Sequence, residues 1–319
     1  MIKELLLMLA KQPGQYLAIE TIGSRLGLVN TEVVGLVSRM NKAGFTVECS
    51  LDRGCAWPDV FSDLAAQPLQ MMLDGSFGQH IYLCNEVDST NEWAKEEVSK
   101  KRIDEGTVFA ARLQTAGKGR QGRVWQSPEG GLWFSLILRP GKSVESIASF
   151  SLVASLAVAR VLAEYTENVS VKWPNDVFIG GKKIAGILLE IHPGFDKIGY
   201  VIVGIGVNAN NWTKYLPEDV SLSSTSLADN MDRMISLNLL LARLIGSVED
   251  NWYRFKHEGF LPFKQQFENM CIHNGQSVTI DTGAEKISGI NTGIDERGGL
   301  LIKRDSGEVI TVNSGDVLL

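Results

Sequence analysis

The sequence predicts an α+β protein of three successive units, and three patterns carry that prediction. Two short apolar helical stretches joined by a glycine open the chain. A long middle region then mixes β-rich runs with apolar or amphipathic helices, and after Cys271 short strands alternate with Gly-containing turns at 274–275, 282–283, 297–299, 306–307 and 314–315.

Residues 1–60 read as the first unit. Residues 2–11 form an apolar helix that ends at Pro13-Gly14, and Ile19–Leu26 forms a second. After Gly27, Asn30 is the expected N-cap of a third helix running through Met40. Two short helices joined by a Gly turn describe a helix-turn-helix, and residues 45–49 with a turn at Asp52-Arg53-Gly54 describe a small β-wing. A three-helix packing module fits the same spacing. If the unit binds DNA, its contacts are Asn30, Thr31, Arg39, Lys42 and Arg53. Its cations (Lys3, Lys11, Arg25, Arg39, Lys42, Arg53) are matched by Glu4, Glu20, Glu32, Glu48, Asp52 and Asp59, so one copy should bind weakly.

Residues 61–80 read as a linker or linking helix, and 81–269 as the main domain. Ser89-Thr90-Asn91-Glu92 has the form of a capping box opening a helix to Lys100. Residues 107–113 and Leu132–Leu138 read as strands. Between them lies QTAGKGRQGRVW (114–125), which contains a literal G-x-G-x-x-G. A dinucleotide fingerprint needs a helix opening on the last glycine, but Pro128 and Gly130-Gly131 follow, so these glycines lie in a strand-to-strand loop. With Lys118, Arg120 and Arg123, the loop suits either a mobile cover over an anionic ligand or a solvated basic loop. Residues 147–165 predict a buried helix, and 169–173 a strand stopped by Pro174. Residues 183–191 and 200–208 predict an antiparallel hairpin about Pro193-Gly194, with helices following at 236–255 and 262–268. Residues 270–319 predict a small closed β-barrel.

The chain has 319 residues, 44% hydrophobic and 21% charged, which excludes a disordered protein. No apolar run approaches the ~20 residues of a membrane span, and no secretory signal opens the chain, so a cytoplasmic protein is expected. The four cysteines, Cys49, Cys55, Cys84 and Cys271, show no C-x-x-C pair and the four histidines do not cluster, which predicts reduced thiols and no protein-built metal cage. A net charge of −6 confines any nucleic-acid contact to a local patch. Four polar segments (88–91, 114–125, 172–176, and 182–183 with Asn208) interrupt the main domain where strands end. Together they gather Lys118, Arg120, Arg123, Lys172 and Lys183, and such a density of cations asks for phosphate or carboxylate.

QTAGKGRQGRVW at 114–125, DSTN at 88–91, KWPND at 172–176, KKIAGILLE at 182–190 and GIGVN at 204–208 resemble, in order, the successive motifs of the biotin protein ligases. The N-terminal unit resembles that of the bifunctional bacterial subclass, the biotin operon repressors, so the resemblance spans essentially the whole chain. One departure is Lys118, where many members carry Arg, which keeps the charge but loses the fork. The resemblance implies a winged helix, a mixed α/β ligase domain of the biotin/lipoate type and an SH3-like barrel. It implies ATP-dependent formation of biotinyl-5′-AMP with Mg²⁺, then transfer of biotin to a lysine of the biotin carboxyl carrier protein of acetyl-CoA carboxylase. It further implies operator DNA as a partner and a ligand-promoted homodimer. Biotin falls to Ser89, Thr90, Asn91, Gln114, Gly117, Lys118, Arg120, Lys183 and Gly186. ATP falls to Lys118, Arg120, Arg123, Trp125, Lys172, Asn175 and Asn208. Catalysis falls to Arg120, Lys183 and Asp176, the last accepting a proton, meeting Mg²⁺ or holding Lys172. A lipoate or octanoate ligase is the nearest alternative, but Ser89 and Gln114 suit a ureido ring better than a fatty acyl chain. A ligand-sensing DNA-binding regulator without ligase activity is the other.

Overall fold

The computed structural model describes residues 1–11, 14–42, 45–57, 64–140, 147–193 and 198–318. The break at Pro13, the 60/61 boundary and the turn at Gly194 lie outside them. Helices α1 (Ile2–Ala10), α2 (Ile19–Leu26) and α3 (Asn30–Lys42) bury Leu5, Leu9, Ile22, Val33, Leu36 and Met40, the apolar positions of a 3.6-residue period. Gly27 ends α2 at φ 68°, in the left-handed region that a Cβ disfavours. Asn30 is not the N-cap that its residue type suggested. It is the first helical residue and donates to Glu20 at 3.0 Å, while the Glu32 carboxylate reaches back to accept the Val29 N–H at 2.9 Å. Glu32 therefore serves its own helix N-terminus, where negative charge is favoured.

Strands β1 (Glu48–Ser50) and β2 (Gly54–Ala56) form the expected hairpin. Its register sets Cys49 opposite Cys55, and the two are disulfide-bonded, which corrects the expectation of reduced thiols. A search for C-x-x-C spacing misses this pair because an antiparallel turn, not sequence adjacency, brings opposed residues into contact. Helix α4 (Ala66–Met72) buries Leu69 and Met72, and the Ala65 N–H just before it donates to Asn238 at 3.1 Å, so this connection is packed.

The central sheet comprises β3 (Ile81–Val87), β4 (Val108–Gln114), β5 (Leu132–Leu138), β6 (Val169–Lys172), β7 (Asp176–Ile179), β8 (Lys182–Pro193) and β9 (Ile198–Val207). Its order is β3-β4-β5-β9-β8-β7-β6, parallel between β3 and β4 and antiparallel elsewhere. Helix α5 (Thr90–Lys100) covers one face, and α6 (Phe150–Leu162) covers the other. The short α7 (Glu218–Ser223) and α8 (Leu227–Met231) precede the long α9 (Leu237–Glu258), which packs on α6. With both faces covered, all seven residues of β5 are buried. Leu132, Phe134, Leu136 and Leu138 join the α6 core, whereas Ile137 joins Ala94, Ile103, Phe109 and Ile202 under α5. Period-2 alternation then puts Ser135 on the α5 face, where it meets Thr90 and Asn91.

After α10 (Lys264–Met270), strands β10 (Ser277–Asp281), β11 (Lys286–Ile294), β12 (Leu300–Lys303), β13 (Val309–Val312) and β14 (Asp316–Leu318) form an antiparallel sheet in the order β13-β12-β11-β10-β14. Among the described residues β14 returns to pair with β10, and no ladder joins β13 to β14. Trp173 ties this unit to the central one. Its indole N–H donates to the Gly298 carbonyl at 3.0 Å and its backbone N–H donates to His273 Nε2 at 3.2 Å. No described helix is long and apolar enough to cross a membrane.

Candidate active site

The N-terminus of α5, the ends of β4, β8 and β9, the loop after β4 and the start of β14 enclose one concave site. The basic loop is folded back on itself. Gly119 N–H donates to the Arg123 carbonyl at 2.7 Å and Trp125 N–H donates to the Gly117 carbonyl at 2.8 Å, with Gln121 (φ 55°) and Gly122 (φ 75°) turning the tip. The loop lays Trp125 over two glycines of the sheet: a Cβ at 206 would sit 2.5 Å from the indole nitrogen, and one at 186 would sit 3.1 Å from its ring. Gly186 and Gly206 are therefore the seat of the indole. Trp125 Nε1 is buried without a hydrogen-bond partner among the described residues.

Every cation lining the site holds a carboxylate. Lys118 meets Glu92 at 2.7 Å, and this pairing holds the Glu92 carboxyl below its usual range and raises the Lys118 ammonium. Lys183 meets Asp176 at 2.7 Å and sits 5.0 Å from the Trp125 ring centre. Asp316 takes Arg120 at 3.2 Å through one oxygen and Arg123 through the other. Arg120 also donates to the Gly315 carbonyl at 3.3 Å and lies 3.4 Å from Asn175 Oδ1. The other end of the site is polar and buried. Gln114 Oε1 accepts the Thr90 N–H at 2.8 Å, and Gln114 Nε2 donates to Ser127 Oγ at 2.8 Å.

The geometry brings Ser89, Thr90, Asn91, Gln114, Lys118, Arg120, Arg123, Trp125, Asn175, Asp176, Lys183 and Gly186 to this one lining. Three expected contacts are elsewhere. Asn208 is buried with both ends of its amide committed, donating to the Thr225 carbonyl at 3.1 Å and accepting from Asn211 at 3.0 Å. Lys172 lies behind the wall, 5.5 Å from the Phe178 ring centre, and burial pushes its ammonium down despite the nearby Asp176. Asp176 holds Lys183 rather than Lys172. Gly117 packs inside the loop, where a Cβ would strike the Trp125 carbonyl at 2.4 Å. The capping box also fails: Ser89 occupies the N-cap position without a side-chain capping bond, its N–H donates to Asp88 at 2.6 Å, and Glu92 is taken by Lys118. Sequence reading missed Asp316, which its own motif showed only as a turn next to Gly315, and it missed Ser135 and Glu190, which have no polar pattern around them.

A family model described as the biotin/lipoate A/B protein ligase family matches residues 83–208, and one described as the biotin protein ligase C terminal domain matches residues 273–319. The chain is 30% identical over 320 residues to the bifunctional ligase/repressor BirA of Bacillus subtilis, covering 99% of this chain and 98% of that protein. It is 28% identical over 298 residues to the bifunctional ligase/repressor BirA of Escherichia coli, covering 92% and 89%. The biotin protein ligase from Aquifex aeolicus, solved in complex with biotin and ATP, superposes with a TM-score of 0.66 at 34% identity, covering 75% of this chain and 98% of that one. The chain belongs to the biotin protein ligases.

Proposed function

We propose that this ligase joins biotin to AMP, using ATP, and then transfers biotin from biotinyl-5′-AMP to a lysine of the biotin carboxyl carrier protein of acetyl-CoA carboxylase. The observation that supports it most is one pocket lined by four cations, Lys118, Arg120, Arg123 and Lys183, together with the hydrogen-bonded Thr90–Gln114 pair. A carboxylate attacking a phosphate needs positive charge between the two anions, aimed where charge develops. The carboxylates now on these cations keep them inside the pocket and exchange for phosphate oxygens, which guanidinium groups bind as well. Arg120 and Lys183 are assigned to the α-phosphate and the acyl phosphate, Lys118 and Arg123 to the remaining phosphates, Trp125 to the adenine face, and Ser89, Thr90, Asn91, Gln114 and Gly186 to biotin. Mg²⁺ accompanies ATP and adds charge neutralisation. Among the described residues no group of three or more His, Cys, Asp or Glu gathers for a metal, so phosphate oxygens with Asp176 would hold the ion. In the second step Asp176 accepts the proton of the attacking amine. A lipoate or octanoate chain would offer no hydrogen-bonding partner to the buried Thr90 or to Gln114 beside it. Release of diphosphate from ATP that depends on biotin and not on lipoate is the test.

The reading divides the chain into 1–60, a winged helix, 61–80, 81–269, the catalytic unit, and 270–319, which supplies Asp316. Asn30, Thr31, Arg39 and Lys42 are exposed on α3, and Arg53 at the hairpin lies 4.7 Å from the Tyr16 ring centre. These residues suit operator contact, and with equal cations and acids a single unit binds weakly. A homodimer formed on adenylate binding would join two half-sites and make repression of biotin synthesis genes report biotin status. A gel shift on the chain's own upstream DNA that tightens with biotin and ATP supports this part, and equal binding without them removes it.

A further inference from the structure

Behind the polar end of the pocket a relay of hydrogen bonds begins at a carboxylate and ends at a ligand-facing hydroxyl. Asn91 Nδ2 donates to Glu190 Oε2 at 2.6 Å. A carboxylate only accepts, so the amide oxygen of Asn91 is turned away from it, toward Ser135. Ser135 Oγ, wholly buried, lies 2.6 Å from Asn91 Oδ1 and 2.8 Å from Thr90 Oγ1. A serine has one proton and an amide oxygen has none, so the Ser135 proton lies toward Asn91 and the 2.8 Å contact between the two hydroxyls takes the proton of Thr90, whose other acceptor, Gln114 Oε1, is farther away at 3.2 Å. The Thr90 oxygen then offers lone pairs alone to the pocket. Gly204 makes room for this relay, since a Cβ there would stand 2.3 Å from Asn91 Oδ1.

We infer that Ser135 and Glu190, neither of which lines the pocket, are positioning residues that set the direction of the Thr90 proton and so make Thr90 an acceptor for an N–H of the ureido ring. The inference rests on the biotin ligase reading above. A hydroxyl on a sheet face otherwise filled by Trp133 and Ile137 is costly to bury unless its bond is used, and here its bond leads to the site.

The test is steady-state kinetics of the full chain with biotin, MgATP and a carrier domain. Ser135→Ala removes the nearer acceptor of the Thr90 proton and turns that proton to Gln114 Oε1, at the ligand-facing side, and the biotin KM should rise about ten- to a hundredfold while kcat and the ATP KM stay within about twofold. Glu190→Gln keeps the shape but lets Asn91 turn over, and the biotin KM should rise about three- to tenfold. Should Ser135→Ala fail to fold, Glu190→Gln decides alone. A biotin KM within about twofold of wild type in folded variants, or equal rises in both KM values with a fall in kcat, overturns the relay. Failure of the wild-type chain to transfer biotin at all would overturn the ligase reading and the relay with it.

Discussion

Asp316, from the last strand of the chain, holds Arg120 and Arg123 with its two carboxylate oxygens, the first at 3.2 Å. One acid of the C-terminal sheet thus fixes two cations of a loop nearly two hundred residues away. It holds both guanidiniums in one place, so less is lost in ordering them when phosphates bind. Asp316→Ala should raise the ATP KM about five- to tenfold with the biotin KM little changed. Equal ATP affinity in the variant would show that Asp316 is a bystander.

Lys183→Ala and Arg120→Ala should each lower the rate of adenylate formation about a hundredfold or more, because each removes a charge aimed at the reacting phosphate. Thermal unfolding should move less than the rate does, since both substituted side chains are partly exposed. Quenched-flow measurement of the adenylate distinguishes this from a loss of transfer. Wild-type rates in either variant would cancel the role given to that residue.

Beyond its own turn the loop at 116–126 is held chiefly through the carboxylates on Lys118, Arg120 and Arg123, with exposed side chains at Gln121, Arg123 and Val124. Phosphates on Lys118, Arg120 and Arg123 would tie it down. Limited trypsin digestion should cut at these basic residues in the free protein and be slowed by biotin with ATP. Cleavage indifferent to ligand would remove the cover role.

His273 is wholly buried between the central and C-terminal units, and burial lowers its pKa to about 4 from 6.5. The Trp173 N–H donating to Nε2 requires that nitrogen to be unprotonated. The unfolded chain takes up a proton below pH 6.5 that the folded chain refuses, so this stability is complete above 6.5 and is lost as pH falls toward 4. The difference amounts to ~3 kcal/mol. Urea unfolding of wild type and His273→Gln between pH 7 and 4 should show a shallower slope in the variant. Parallel slopes would place the acid sensitivity elsewhere.

How far these features were readable in the sequence depended on how local their causes are. Ile19–Leu26 and Leu132–Leu138 match their expected limits, because a glycine turn and a run apolar but for Ser135 are signals carried by neighbouring residues. The cations of the site were found because their motifs were contiguous. Asp176 was found with them, but Asp316 was not. The Arg123–Asp316 pair spans 193 residues and Asn91–Glu190 spans 99, and no spacing rule reaches across a sheet to find them. β7 was missed because the chain reverses at once over Pro174-Asn175, so the strand hides behind the motif that ends β6. Asn208 lies off the pocket lining because residue type alone cannot tell a ligand contact from a buried amide that bonds backbone and Asn211.

The central claim is that this pocket activates biotin and hands it to a carrier lysine. Its most direct measurement is incubation of the full chain with MgATP, a biotin carboxyl carrier domain and either radiolabelled biotin or radiolabelled lipoate, followed by detection of label on the carrier after denaturation. The account predicts covalent label from biotin, dependent on ATP and lost when the acceptor lysine is replaced, with none from lipoate. Label from lipoate in preference to biotin, or none from either with a competent carrier, would contradict it.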